Sequence, residues 1–341
     1  MDTQLKRSFR TYFVESRFLS IIMSVVVVGM RFLLYLQKGL PETSGYKTNF
    51  VWGHIEPFLE ANPFVSFVGS TGVVLLIAVL ISELNIRYGI IRLRTSMPFF
   101  IPLLLLSVHP SFLRLTPDLV ALVFVLWALF PLFSTYQHQR SHKYAFQFGA
   151  LLAIGSVFQI YTLLFLPIWL FALKALDQIT VRSVLSSLFG VLIVYWIVFS
   201  MFVFADNIGG FASPFAYLIK VYDFSYVPAF TVPQWGFIVT FVLLVVIYLV
   251  LDSQQIVRER SFTKKVLMIN LSVVIFTIFM QIIYFSHTLF FLYTGLAFMS
   301  MALSHYYTNV ERRPQVYSYF ALLGVLLIYF ILNIFTNLTP L

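Results

Sequence analysis

An all-α bundle of transmembrane helices is the fold class this sequence predicts, and three observations carry it. Apolar residues fill 60% of the 341 positions and charged ones only 10%, with 39 Phe and 19 Tyr. No water-soluble fold of this size hides so much apolar surface. Apolar runs of about 20 residues, the length that crosses a hydrocarbon layer, recur from end to end. The short alternating stretches of a membrane β-barrel do not occur. Third, the formal net charge of +9 is distributed by side of the membrane rather than gathered in a patch.

Taken in order, the spans read as 18–36, 63–84, 97–110, 116–136, a pair within 144–174, then 181–205, 235–251, 265–285, 287–305 and 317–336. The first follows Lys6, Arg7, Arg10 and Arg17, in the manner of a signal peptide. It has no small-x-small cleavage site and further spans follow, so it reads as a retained helix. Segment 144–174 is too long for one ordinary span, and both flanks are basic: Arg140 and Lys143 before it, Lys174 and Arg182 after. Two short helices folded as a hairpin return the chain to the side it left. The expectation is therefore a polytopic bundle of about eleven membrane segments, with the amino terminus inside and the carboxyl terminus outside.

Lys and Arg test that topology. The turns assigned inside hold 17 of them and those assigned outside hold 4, with Arg31 inside the first span. This asymmetry is the positive-inside signature, and the basic excess lies against anionic lipid. Nucleic acid is not an expected partner. The absence of cysteine removes disulfides, thiolate metal sites and cysteine nucleophiles. Neither an HExxH-type ligand set nor a nucleotide-binding glycine loop appears, so no metal or cofactor is expected. Acids are scarce at mid-membrane positions, which disfavours an ion-driven pump. Asn270, Gln281 and Gln159 read as interhelical hydrogen-bonding groups. Residues 1–341 form one integral membrane domain.

Two outside loops, 37–62 and 206–234, are long where the other outside turns are minimal. In the first, Val51, Ile55, Phe58 and Leu59 fall on one face of an amphipathic helix, with Asn49, Gly53, Glu56 and Glu60 opposite and Pro57 as a kink. In the second, Ser213-Pro214 marks a helix start, followed by a stripe of Phe215, Leu218, Ile219 and Tyr222. These helices either roof a cavity that opens outward or only seal the bundle edge.

Polar chemistry concentrates near that side. Glu42 and Glu56 are candidate general bases, or solvated surface charges. Arg31 lies about five residues inside the outer end of its span, at a depth where a charge is costly. It is read as a ligand for a lipid-linked phosphate, as a partner of Asp118, or as a side chain snorkelling to the headgroups. His109 and Arg114, on one short turn, form a candidate phosphate clamp, or simply lie in the interface.

The eleven segments, the long outer loops after the first and seventh, and the short helices between them resemble the membrane core of GT-C glycosyltransferases. That resemblance implies transfer of a sugar from a polyprenyl-phosphate donor at the outer face. It further implies Glu42 or Glu56 as the catalytic carboxylate, and Arg31, His109 and Arg114 as ligands of the lipid phosphate. In addition, Glu83-Leu84-Asn85-Ile86-Arg87, Leu93-Arg94-Thr95-Ser96-Met97-Pro98 and Gly149-Ala150-Leu151-Leu152-Ala153-Ile154-Gly155-Ser156 resemble an uncharacterised family of inner-membrane proteins from Bacteroidota. This second likeness covers roughly residues 80–210 and implies a bacterial inner-membrane location. A flippase or carrier for a lipid-linked intermediate, and a non-catalytic subunit of an envelope assembly complex, are the competing expectations. Membrane lipids, a polyprenyl-phosphate-linked glycan and an envelope protein are the expected partners.

Overall fold

A computed structural model describes residues 2–41, 49–136, 141–219, 235–236, 238–243, 245, 259–284, 288–310 and 313–335. Among them the secondary structure is entirely helical. A short α1 (Asp2–Phe9) and one π-type turn lead into α2 (Arg17–Lys38). Then follow α3 (Trp52–Ala61), α4 (Pro63–Tyr88), α5 (Met97–Leu105), α6 (Pro117–Ser134), α7 (Ser141–Phe158) and α8 (Leu166–Ala175). The remainder comprises α9 (Val181–Phe204), α10 (Ile208–Ile219), α11 (helical residues within 235–245), α12 (Ser261–Ile283), α13 (Thr288–Thr308) and α14 (Arg313–Phe335).

Among the described residues seven helices, α2, α4, α6, α9, α12, α13 and α14, are long and apolar enough to cross a membrane. This is the signature of a multi-pass membrane protein. Of the eleven segments read from the sequence, seven fall on these helices; the other four fall on α5, α7, α8 and the partly described α11, which are not among them. With 9 and 10 residues, α5 and α8 reach only about 14–15 Å, half a hydrocarbon layer.

Local chemistry accounts for the helix ends. Thr116 caps α6 by accepting from the Leu119 N–H, with Pro117 in the first turn. Thr180 and Ser183 form a reciprocal capping box on α9. Gly89, at φ 57°, closes α4 in the left-handed region that glycine enters at no steric cost. At the start of α5, Thr95 accepts from the Met97 N–H at 3.2 Å.

Helix directions follow from the contacts. Ser186 of α9 donates to the His142 carbonyl of α7, and Tyr195 bonds Ser156, so α7 and α9 run parallel. The chain must therefore turn back between them. A 3₁₀ turn (Ile160–Phe165) and α8 make that return, antiparallel to α12: Tyr161 stacks near Tyr284 at one end and Lys265 pairs with Asp177 at the other. The hairpin read from the basic flanks is thus present, as one full helix and a shorter return limb.

Ion pairs at the Lys/Arg-rich end join turns that the charge pattern had assigned to one side. Glu259 binds both Arg92 and His305, and Asp177 binds Lys265. At the core lie α13, whose span is 94% buried, α6 and α5. By contrast α2 and α9 are each only 17% buried along their spans and turn Phe18, Val25, Leu192, Trp196 and Phe204 outward. Such an outward apolar face is suited to lipid.

The hydroxyls of central α13 bond backward within the helix. Thr294, Ser300, Ser304 and Thr308 donate to carbonyls three or four residues earlier, at 2.6–2.9 Å. This satisfies them without a partner helix. Between helices, Asn270 of α12 donates to the Phe298 carbonyl of α13, as its position inside a span had implied.

Candidate functional site

The site lies at the end of the bundle opposite the Arg-rich turns, around residues 106–115, where α5 stops and α6 has not begun. Non-helical backbone at this depth is tolerated only where protein satisfies it. Here side chains from four helices do so. Arg31 of α2 donates to the carbonyls of Leu106 (2.7 Å) and Phe112 (2.8 Å), to Ser70 (2.7 Å) and to Thr71 (3.2 Å). Ser70 passes its own proton to the Phe112 carbonyl at 2.8 Å. Ser66 accepts the Leu115 N–H, Tyr293 donates to the Ser111 carbonyl, and Asn333 reaches the Val108 carbonyl at 3.5 Å.

Arg31 is fully buried, with its guanidinium spent on this segment. It neither snorkels nor pairs with Asp118: its partners are these carbonyls and hydroxyls, and among the described residues no ion pair joins the two. His109 is likewise buried, caps the 3₁₀ turn Pro110–Leu113 by accepting the Ser111 N–H on Nδ1, and stacks on Tyr329. Both residues hold the turn from beneath.

Arg114 reaches the surface of the same turn. It donates to the Pro41 carbonyl at 3.0 Å and pairs with Glu60 of α3 at 3.3 Å. It lines an open groove of about 530 Å³ whose apolar wall is Tyr35, Leu36, Leu40 and Leu59. One guanidinium beside an aliphatic wall suits a phosphate carried on a hydrocarbon chain.

Glu56 of α3 does not line the groove but interacts electrostatically with Glu60 and Arg114, which do. Of the apolar stripe read from the sequence, Leu59 is buried together with Trp52, while Val51 and Phe58 are exposed, Phe58 by 59%, on a side where an interfacial helix also has apolar surroundings. Glu56 is partly buried. One carboxylate oxygen is shut from solvent with no hydrogen-bond partner. Burial and then Glu60 push its carboxyl above the usual range, opposed by Arg114. A carboxyl raised in this way holds its proton more readily than an ordinary surface carboxylate, as a group that takes up a proton requires.

Of the residues chosen from sequence, Arg114 lines the groove, Glu56 interacts with it electrostatically, Arg31 and His109 hold the turn that carries Arg114, and Glu42 is outside the described residues. Glu60 and Tyr35 also belong to the groove. They carried no sequence signal beyond their place at the ends of two apolar runs.

The second long loop joins the first through Phe50. Its N–H donates to the Val157 carbonyl at 3.0 Å, and its ring packs on Tyr195, Phe202, Phe211 and Phe215. The start of α10 differs from the expected Ser213-Pro214: the helix begins at Ile208, with Asn207 accepting the Gly210 N–H, and Pro214 sits inside it. Tyr222, the last residue of the expected stripe, lies outside the described residues. Among the described residues no group of three His, Asp or Glu side chains could hold a metal ion.

Fold and site together define an all-helical, multi-pass membrane protein with a charged groove at one end of the bundle. No protein-family model, curated protein or solved structure matches the chain.

Proposed function

We propose that the chain is a GT-C-like membrane glycosyltransferase that takes a sugar from a polyprenyl-phosphate carrier at the outer face of a bacterial inner membrane. The observation that supports this reading is the electrostatic coupling of Glu56, which has a buried unpartnered oxygen, to Arg114, which lines a groove with one apolar wall. In the proposed reaction Glu56 removes the proton of an acceptor hydroxyl. The acceptor oxygen then attacks the anomeric carbon as its bond to the carrier phosphate breaks. Arg114 neutralises the departing phosphate, while Tyr35, Leu36 and Leu40 take the first isoprene units. Arg31 and His109 act by holding the 106–115 turn that presents Arg114, instead of touching the phosphate as the family resemblance implied.

Purification in lipid-retaining discs, followed by mass spectrometry of the bound lipid, tests the donor class. A co-purified polyprenyl phosphate or glycolipid, with transfer abolished in Glu56→Gln, supports the enzyme. The same lipid with no transfer in the wild type moves the protein to the carrier reading. Ordinary phospholipid alone, with a stoichiometric protein partner, moves it to an assembly subunit.

A further inference from the structure

We infer that Asp118, Gln159 and Thr162 form a binding site for a small monovalent cation, sodium or potassium, inside the bundle. The inference is independent of the groove and of any transferase activity. Asp118 stands in the first turn of α6, only 2% exposed. Gln159 donates its amide Nε2 to Oδ1 of this carboxylate. Among the described residues no Lys, Arg or His forms an ion pair with Asp118. Arg31 does not pair with it, being bound instead to the Leu106 and Phe112 carbonyls and the Ser70 and Thr71 hydroxyls. The amino-terminal dipole of α6 offsets part of the charge, equivalent to about half an elementary charge. A buried carboxylate with nothing more is costly.

The neighbouring acceptors point to what completes it. Gln159 Oε1 and Thr162 Oγ1 are both shut from solvent and both lack a hydrogen-bond partner. They are neighbours at one helix entry: Gln159 is the extended residue that precedes the 3₁₀ turn, and the Thr162 N–H within that turn donates to the Gln159 carbonyl at 3.0 Å. The Thr162 methyl group faces α7 at Gly155, where a Cβ would meet it at 3.1 Å. Its hydroxyl is thereby turned off that helix. The result is a carboxylate, an amide oxygen and a hydroxyl oxygen, an all-oxygen set of the kind hard cations take. In its ionised form the carboxylate would match one positive charge. A water molecule would occupy the two free acceptors and leave the charge uncompensated.

The test is thermal unfolding of the full-length protein in detergent, followed by its five Trp, across titrations of sodium, potassium and choline chloride at constant ionic strength. A ligand that binds only the folded state raises the midpoint in a saturable way. Sodium or potassium is expected to do so in the wild type and choline is not. Asp118→Asn is expected to lose the dependence. Thr162→Val, which keeps shape and removes one oxygen, is expected to raise the half-saturating concentration about tenfold, equivalent to ~1.4 kcal/mol. Superimposable wild-type curves in the three salts overturn the inference, and so does an unchanged half-saturating concentration in Thr162→Val. If Asp118→Asn does not fold, the wild-type salt series and Thr162→Val decide the matter.

Discussion

The Arg31 guanidinium donates to the Phe112 carbonyl at 2.8 Å, joining the middle of α2 to a non-helical turn 81 residues away. It acts as a backbone surrogate, supplying N–H groups where a helix would have supplied its own. Lysine offers a point charge in place of a planar fork and cannot meet four acceptors in that geometry. Arg31→Lys is therefore expected to destabilise the protein by about 3 kcal/mol or more, through buried acceptors left unmade. Thermal unfolding in detergent reads the loss. An unchanged midpoint would show that the guanidinium is not needed by the turn.

Glu56 predicts a pH effect with a definite sign. Its folded carboxyl is raised by burial and by Glu60, so the folded state keeps a proton that the unfolded chain releases. As pH rises from the ordinary carboxylate range through the folded value, stability falls. Glu56→Gln should remove that decline, so that at neutral pH the variant melts higher than the wild type. A wild-type midpoint that is flat from pH 4 to 8 would contradict this.

Glu259 predicts the opposite. Hydrogen bonding from His305, then the charges of His305 and Arg92, hold its carboxyl below its ordinary value of 4.5, against an opposing effect of burial. Its contribution is present above pH 4.5 and is lost as pH falls through the depressed folded value. Glu259→Gln should cost about 1 kcal/mol or less at neutral pH, the range of partly exposed ion pairs. The difference from wild type should vanish in strong acid, as urea titrations at two pH values would show.

Arg114 is the groove's cation. Arg114→Ala is expected to weaken binding of a short-chain polyprenyl phosphate about 10- to 100-fold, the loss of one charge-assisted contact. Arg114→Lys should retain part of it. Binding measured by tryptophan quenching that is indifferent to both substitutions would remove the phosphate from this groove.

The parallel pair α7 and α9 rests on two glycines. A Cβ at Gly149 would lie 2.2 Å from the Ser187 carbonyl oxygen, and one at Gly190 would lie 2.4 Å from that of Phe146. Backbone, not a flexible side chain, is in the way. Gly149→Ala and Gly190→Ala should each cost about 1–3 kcal/mol by forcing the helices apart. Equal expression and melting to wild type would argue that the pair is looser than described.

The helical class, the hairpin and the sharing of an end by basic turns were legible because each depends on a property summed over many residues. Hydropathy over 20 positions and the placement of Lys and Arg survive local exceptions. Single-residue geometry did not. The stripe on α3 did not say which of its members meets the bundle, because Phe58 and Leu59 are equally apolar and only the neighbouring helices decide which is buried. Arg31 announced itself by depth, yet its partners are backbone carbonyls, which carry no letter in the sequence. Ser66, Ser70 and Tyr293 were missed for the same reason: small hydroxyls and tyrosines inside spans look like ordinary packing. Asn207 capped α10 ahead of the better-looking Ser213-Pro214 because a single cap residue competes with any other nearby.

The near-total enclosure of α13 also bears on how the protein enters the bilayer. Its mean hydropathy is 1.2, against 1.6–2.5 for the other six long helices. A nascent segment partitions into lipid by its own apolarity, and this one carries Thr294, Ser300, Ser304 and His305 within a single span. Alone at the lateral gate of an insertion channel it is the weakest candidate of the seven. It is also the helix that the others surround. Biogenesis therefore has to deliver α13 with the strongly apolar α12 and α14 on either side, so that insertion and tertiary assembly of this part of the chain become one event.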